Sequence, residues 1–430
     1  MAGSTRAVGS ALAALLGTDA LVEDAGVLAR FAVDGCTPRW LARPSTVDAV
    51  ARVMALATDE GLAVVPRGSG STLALGAPPA RLDLVLDMSR LDRVLEWNPD
   101  DLTVTVEAGV ALGALAKRLG PRRQFLPLDP PAADTRTLGG LTATNASGAL
   151  RVRYGALRDL LLGVRFVQPD GVVTWGGAKV VKSVSGYDVP KLMVGALGTL
   201  GVLCELTLRL HPVPDVERTW LVTFVAAEHA QGFLAAILDS ALQPSRVEWL
   251  NRAALARTGS PSAAAALAVS IGSVEAAVAA QGAIIGGLAA REHGQVMEAP
   301  VGWWDAYAQR LGAAPVVLRV ATLASHVAGT VTDVERRLHG ACVSGCAAVG
   351  SLDVSVAAGE ADVRRAVDGL RAHLRPIGGH VVVTRAPVTL RQSIDPWGPV
   401  DDGAVGLMRA ILSEFDPRRV LNPGRFVGGL

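Results

Sequence analysis

Apolar positions come in short runs through the first half of the chain and at helical spacing through much of the second. From about Val33 to Pro214, glycine and proline break the pattern often, which predicts strands near 62–66, 84–88, 94–97, 102–107, 164–168 and 172–175. Asn98-Pro99-Asp100-Asp101 and Gln168-Pro169-Asp170-Gly171 each sit between two such runs, where proline presets φ and the Asp and Gly residues suit a turn. From about Asp215 to Pro387 the expected strands lie near 219–225, 247–250, 266–271, 295–299, 316–321, 352–356 and 380–384. They alternate with helices near 227–239, 274–291, 331–338 and 361–374. In the last helix Val363, Ala366, Val367, Leu370 and Leu374 form one apolar stripe. That order predicts a ferredoxin-like α+β layer, suited to cover a ligand held by another domain. A helix over 403–415 precedes a tail, 416–425, stiffened by Pro417, Pro423 and Gly424. The tail is expected to return to the first domain. Residues 1–17 read as a surface helix, and no internal repeat is evident. The expected organisation is an N-terminal helical segment (1–32), a first domain (33–214), an α+β domain (215–400) and a closing helix and tail (401–430).

Composition narrows the function. Half of the 430 residues are hydrophobic, enough to fill the cores of two or three domains at roughly 150 residues each. With 41 basic and 40 acidic residues the net charge is +1, which sets nucleic acid aside as the main partner. Of the four cysteines, only Cys342 and Cys346 are close, with His339 just before them. Zinc sites show two tight pairs and iron–sulfur sites a short run, so buried thiols and no metal are expected. So few cysteines suggest a reducing compartment, hence the cytoplasm. The most apolar stretch, 263–290, is interrupted by Ser270, Ser273, Glu275 and Gln281 and reads as a strand and a helix, not a bilayer span.

Three segments could carry chemistry. In Pro66-Arg67-Gly68-Ser69-Gly70-Ser71-Thr72 a strand enters a loop of glycine and hydroxyl residues, whose amides can converge on an anion such as a pyrophosphate. Leu73 stands where a Rossmann fingerprint needs its third glycine, and no Walker Gly-Lys-Ser/Thr follows. Taken alone, the loop is equally a surface turn. The run 137–148, with Gly139, Gly140, Asn145, Ser147 and Gly148, is small at nearly every position and allows close approach of a flat or charged group, or a tight helix–sheet junction. Arg153-Tyr154-Gly155 follows. The third window, 176–202, holds Lys179, Lys182 and Lys191, three of the chain's four lysines, and Gly195-Ala196-Leu197-Gly198-Thr199-Leu200-Gly201 before Val202. The lysines are either an anion site or solvated charge. Trp303-Trp304-Asp305 with Tyr307 is a docking surface, a pocket wall, or a pair with one ring in the core and one at its edge.

In this order the three segments resemble the FAD-binding domain of the vanillyl-alcohol oxidase/p-cresol methylhydroxylase (PCMH) superfamily, and Asp416-Pro417 with Leu421-Asn422-Pro423-Gly424-Arg425 resembles the tail of its 2-hydroxy-acid branch. The stretch from Lys179 to Leu192, with Ser183 and Ser185-Gly186-Tyr187-Asp188, is similar to the GlcE-type FAD-binding subunit of bacterial glycolate oxidase, as is Gly378-Gly379-His380 leading to Arg385-Ala386-Pro387. The resemblance implies a two-subdomain, PCMH-type FAD-binding domain with a ferredoxin-like α+β cap. It implies non-covalent FAD, with Pro66 to Thr72 at the pyrophosphate. Gly139, Gly140, Asn145, Ser147, Gly148 and Tyr154 would lie along the ribityl and flavin region, Gly198, Thr199, Gly201 and Val202 beside the cofactor, and Asn422 and Arg425 at the flavin from the tail. It also implies a paralogous flavoprotein subunit and an iron–sulfur subunit as partners, with any membrane contact made through them at the inner membrane.

Oxidation of a small 2-hydroxy acid requires a cation for the carboxylate and a base for the hydroxyl proton. Arg385 is the first candidate for the clamp and His380 for the base. Catalytic members of the branch often carry a Gly-Asp-Gly-Asn-x-x-His-like segment with metal-binding histidines, and here only Gly378-Gly379-His380 is present. Three readings stand: a hydroxy-acid oxidoreductase subunit, a self-sufficient flavin oxidase or dehydrogenase with another alcohol substrate, and a non-catalytic or electron-relay FAD subunit.

Overall fold

The computed structural model describes residues 2–178 and 186–430. Lys179, Lys182, Ser183 and Ser185 of the lysine window lie outside the described residues. The first sheet contains β1 (Leu21–Val22), β2 (Trp40–Ala42), β3 (Val64–Arg67) and β4 (Leu84–Asp87), in the order β1-β2-β4-β3. β2, β4 and β3 run parallel, and Leu84, Val85 and Leu86 are wholly buried, as expected of a strand covered on both faces. The crossover from β2 to β3 is the helix Val47–Asp59. Thr46 caps it by accepting the Ala49 N–H (3.1 Å), and Val50, Val53, Met54 and Ala57 face the sheet. The opening helix, Ala2–Leu16, differs from a surface helix: Val8 and Leu12 are buried in the same core.

The next seven strands are β5 (Val94–Asn98), β6 (Thr103–Glu107), β7 (Gln124–Phe125), β8 (Leu161–Val167), β9 (Val173–Gly177), β10 (Val202–Arg209) and β11 (His211–Pro212). Five form an antiparallel sheet, β5-β6-β10-β8-β9, and β7 pairs with β11. Helices Leu112–Leu119 and Leu138–Thr144 pack on this sheet, joined by Leu412 and Ile411 of the late helix Asp402–Phe415.

The remaining strands make one eight-stranded antiparallel sheet. They are β12 (Val216–Phe224), β13 (Arg246–Asn251), β14 (Ala265–Ser273), β15 (Gln295–Glu298), β16 (Val316–Ala321), β17 (Cys342–Cys346), β18 (Ser351–Val356) and β19 (His380–Arg385), ordered β15-β12-β14-β13-β17-β18-β16-β19. Helices Ala227–Leu238, Glu275–Arg291, Val327–Arg337 and Glu360–Leu374 punctuate it after β12, β14, β16 and β18. Each half is therefore a β-α-β-β-α-β unit whose own strands lie in the order 4-1-3-2, and the two units join through β13 and β17. The sequence shows no such repeat, yet the structure has one. Period-2 alternation turns Val247, Trp249, Val269, Leu318, Val320, Val354 and Val383 toward the helices. The opposite face carries Glu248, Ser270, Arg319, Ser344, Asp353 and Ser355.

That polar face is turned to the first domain. Arg246 donates to Asp129 (Nε to Oδ2, 3.1 Å) and to Glu217 (Nη1 to Oε1, 2.7 Å), and lies 4.7 Å from the Trp304 ring centre. Arg391 is buried and holds Asp34 with two nitrogens, one at 2.9 Å, and the Gly76 carbonyl at 3.1 Å. Trp303 is 4% exposed while Trp304 is half-buried, one ring in the core and one at its edge. Cys204, Cys342 and Cys346 are buried and Cys36 half-buried, all free thiols. Among the described residues no helix is long and apolar enough to cross a membrane.

Candidate functional site

The loop after β3, the helix Leu138–Thr144, Leu197 and the tail converge on one cleft. Its walls are Pro66 to Leu73, Leu75, Arg136, Thr137, Gly140, Ala143, Thr144, Leu197, Asn422 and Arg425. Backbone bonds hold the pieces together. Gly195 N–H donates to Thr142 O and Leu197 N–H to Ala143 O, both 2.9 Å, so the third segment is laid against the end of the helix. The tail extends the first sheet: Val64 N–H donates to Val420 O (2.8 Å) and Asn422 N–H to Val64 O (2.9 Å). Asp416, fully buried, accepts the N–H groups of Val420 (3.0 Å) and Leu421 (2.8 Å) and so shapes the turn into that strand. Asn422, in left-handed backbone, donates to Leu197 O (2.7 Å), and Arg425 donates to the carbonyls of Leu73, Leu75 (3.1 Å) and Ala77 (3.4 Å). Burial pulls the Arg425 pKa down to about 10.

The cradle is shaped by what glycine leaves out. A Cβ on Gly68 would overlap the Thr137 hydroxyl. Gly70 has φ +76°, and a Cβ there would meet Arg67 Nε at 2.5 Å. Three buried polar atoms at this point, Arg67 Nε, Arg67 Nη1 and Thr137 Oγ1, have no hydrogen-bond partner. The Arg67 guanidinium lies 4.2 Å from the Phe31 ring centre, and burial lowers its pKa although Asp87 opposes the shift. Unpaired buried donors are costly, and an anion bearing several oxygens would satisfy them. The residues therefore fit a bound pyrophosphate.

Other candidates lie elsewhere. Gly139 packs on Ala108 and Gly201 on the Phe166 ring (2.6 Å for an added Cβ), while Thr199 and Val202 are buried in the core. Gly198 borders the cleft through Asn422 and Pro66, and Asn145 caps the helix in left-handed backbone. Ser147 lies in the turn after that helix, and Gly148 is pressed against Asp129. Tyr154 lines a second cleft at the domain junction, edge-on to Phe125 (5.5 Å) and His211 (4.9 Å). Arg385 and His380 are not among the residues lining the first cleft. Arg385 is exposed and donates from Nη1 to the carbonyls of Gly312 (3.1 Å) and Ala314 (3.3 Å), and His380 is exposed at the start of edge strand β19.

The roof carries a network that no motif announces. Arg310 donates to Ser344 Oγ (2.7 Å) and Asp353 Oδ2 (3.1 Å), and Arg319 donates to Asp353 Oδ1 from Nε and Nη2, both at 3.2 Å. The Tyr307 hydroxyl donates to Glu248 Oε2, and burial pushes Glu248 up to about 8. The available signal was a charge set among apolar residues in each strand: Glu248 between Val247 and Trp249 in β13, Arg319 in β16, Asp353 in β18. Arg136 was missed as well. It is 7% exposed, lines the cleft, and is pushed down to about 10 by burial and by Arg319 across the domain seam.

A glycine-lined anion cradle in the first domain, with the polar side of the eight-stranded sheet facing that domain, defines a dinucleotide-binding protein with a cap. Residues 38–177 match the family of FAD binding domains, so the dinucleotide is FAD. The solved structure of p-cresol methylhydroxylase with substrate bound superimposes with a TM-score of 0.77 over 99% of this chain and 97% of that chain, at 15% identity, which establishes a shared fold. The glycolate oxidase subunit GlcD of Bacillus subtilis (strain 168) is 30% identical over 243 residues, 54% of this chain and 52% of that protein. The mitochondrial D-lactate dehydrogenase [cytochrome] of Arabidopsis thaliana is 33% identical over 209 residues, 48% of this chain and 36% of that one. The chain thus spans about half the length, or less, of these curated relatives.

Proposed function

We propose that this chain is an FAD-dependent oxidoreductase acting on the CH–OH group of a small 2-hydroxy acid, such as glycolate or D-lactate, and forming the 2-oxo acid. The observation that carries the reading is the cleft where Arg67 and Thr137 present unpaired buried polar atoms beside Gly68 and Gly70. The names of the relatives, a glycolate oxidase subunit and a D-lactate dehydrogenase, supply the substrate class. FAD, when bound, supplies the two-electron acceptor for the hydride that leaves the substrate carbon. The chain's residues bind and orient. The 67–72 loop holds the pyrophosphate, Asn422 and Arg425 fix the tail against the cleft, and the cap sheet shields the reacting carbon from water. Binding is non-covalent, in keeping with described cleft walls that contain no His or Cys.

The name of the Bacillus relative is that of a subunit, and we place this chain likewise in a complex, in the cytoplasm, passing electrons to a paralogous flavoprotein or an iron–sulfur subunit. The test is anaerobic mixing of the purified, FAD-loaded chain with glycolate or D-lactate. Bleaching of the flavin absorbance by the chain alone supports direct oxidation. Bleaching that requires added partner subunits would instead make this chain a relay, and a chain that retains no flavin overturns the proposal.

A further inference from the structure

Arg136 stands between the FAD cleft and the cap, and nothing in the described structure pairs with it. Its guanidinium has no hydrogen-bond or ion-pair partner among the described residues, although the side chain is nine-tenths buried and lines the cleft. The backbone explains the placement. Arg136 N–H donates to Ala133 O (3.1 Å) and its carbonyl accepts from Leu112 (2.9 Å), so the residue is fixed one step before the Thr137 cap. Across the seam, Arg319 is held flat by two bonds to a single oxygen of Asp353, whose other oxygen is taken by Arg310. Two guanidiniums thus share one carboxylate, and that of Arg136 stands outside the pairing. Glu248 adds little negative charge near neutral pH, and Asp129 is already occupied by Arg246. The region carries an excess of positive charge that the protein itself does not neutralise.

We propose that Arg136 and Arg319 form an anion clamp across the domain seam, and that its ligand is the carboxylate of a small acid. A planar, two-oxygen anion can take N–H groups from both guanidiniums, whereas the pyrophosphate already has the 67–72 loop. The clamp deepens the proposed function and rests on it for the reaction, though not for anion binding itself. It also gives the carboxylate an anchor at the cleft, whose lining does not include Arg385.

The experiment uses oxalate, a small dicarboxylate with no CH–OH group to oxidise, titrated into the full chain by calorimetry while flavin content is read from visible absorbance. Arg136→Met is expected to keep its flavin and to weaken oxalate binding roughly 10- to 100-fold. Arg136→Lys, which keeps the charge but loses the planar fork, should fall between the two. Unchanged oxalate affinity in Arg136→Met, or an unmodified protein that binds inorganic phosphate more tightly than oxalate, would overturn the clamp. So would loss of flavin from Arg136→Met, which would move Arg136 into the cofactor site. A colourless protein that still binds oxalate sinks the oxidoreductase reading and leaves the clamp standing; a yellow protein indifferent to oxalate does the reverse.

Discussion

Gly70 and Arg136 sit on the same cleft, and only the first could be read from the sequence. Alternating glycines and hydroxyls between Arg67 and Thr72 suit an anion cradle or a plain surface turn, and it is their order with the two later small-residue segments that carries the message. Arg136 is one arginine among many, and its significance lies in having no partner, which only three dimensions reveal. Arg385 and His380 show the converse: plausible types on a real strand, with one side chain tied to carbonyls and the other exposed. Gly70→Trp should abolish flavin retention, because the position needs left-handed backbone and an indole would displace Arg67. Visible absorbance after gel filtration checks this, with circular dichroism to confirm that the chain still folds. Glu248 yields a pH prediction. Its folded pKa of about 8 exceeds the ordinary 4.5, so between those values the folded state holds a proton that the unfolded state has lost. The stability Glu248 contributes is complete below the lower value and is lost as pH rises through the upper one, at up to about 1.4 kcal/mol per pH unit. Urea unfolding followed across that window should show a shallower decline for Glu248→Gln, and an identical slope would reassign the proton.

At the scale of elements, strands with bulky alternating residues were legible to within a few residues. The run expected at 316–321 is Val316–Ala321, and that at 219–225 is Val216–Phe224. β17 was invisible because Cys342-Val343-Ser344-Gly345-Cys346 has almost no side-chain bulk to pattern. Its small residues have a purpose: a Cβ on Gly345, at φ +156°, would run into Ser351 O on the neighbouring strand. The central strand β10 was masked by the glycine run before it. The β-α-β-β-α-β duplication escaped notice because its two copies share topology rather than residues. The cap is fastened to the first domain through β13, where Arg246 bridges Asp129 and Glu217. Arg246→Met should cost about 3 kcal/mol, since it strands two partly buried carboxylates. Equilibrium urea denaturation measures the loss, and a change below about 1 kcal/mol would mean that solvent already screens the pair.

On the scale of the whole molecule, distant parts of the chain meet on the first domain. Arg391 reaches Asp34, Arg418 reaches the Thr58 carbonyl (2.8 Å), and the tail adds its rung beside β3. Deleting residues 416–430 would remove that rung along with the Asn422 and Arg425 bonds, and should release flavin while the cap sheet, which draws no strand from the tail, stays folded. Limited proteolysis and visible absorbance together check both halves of that expectation. The two-sheet domain and the α+β cap followed from glycine-rich and helix-rich textures, but how they face one another depends on buried charges that periodicity does not encode.

The junction between the twin halves of the roof is short: Glu248, Trp249 and Leu250 against Cys346, Gly345 and Ser344. Each half could stay internally intact while sliding along this joint, much as two tiles share one grout line. A slip of two residues would preserve which side chains point down, yet displace one tile by about 7 Å and carry Arg319 off its station opposite Arg136. The alignment of three residue pairs therefore sets where the roof's charge stands over the floor.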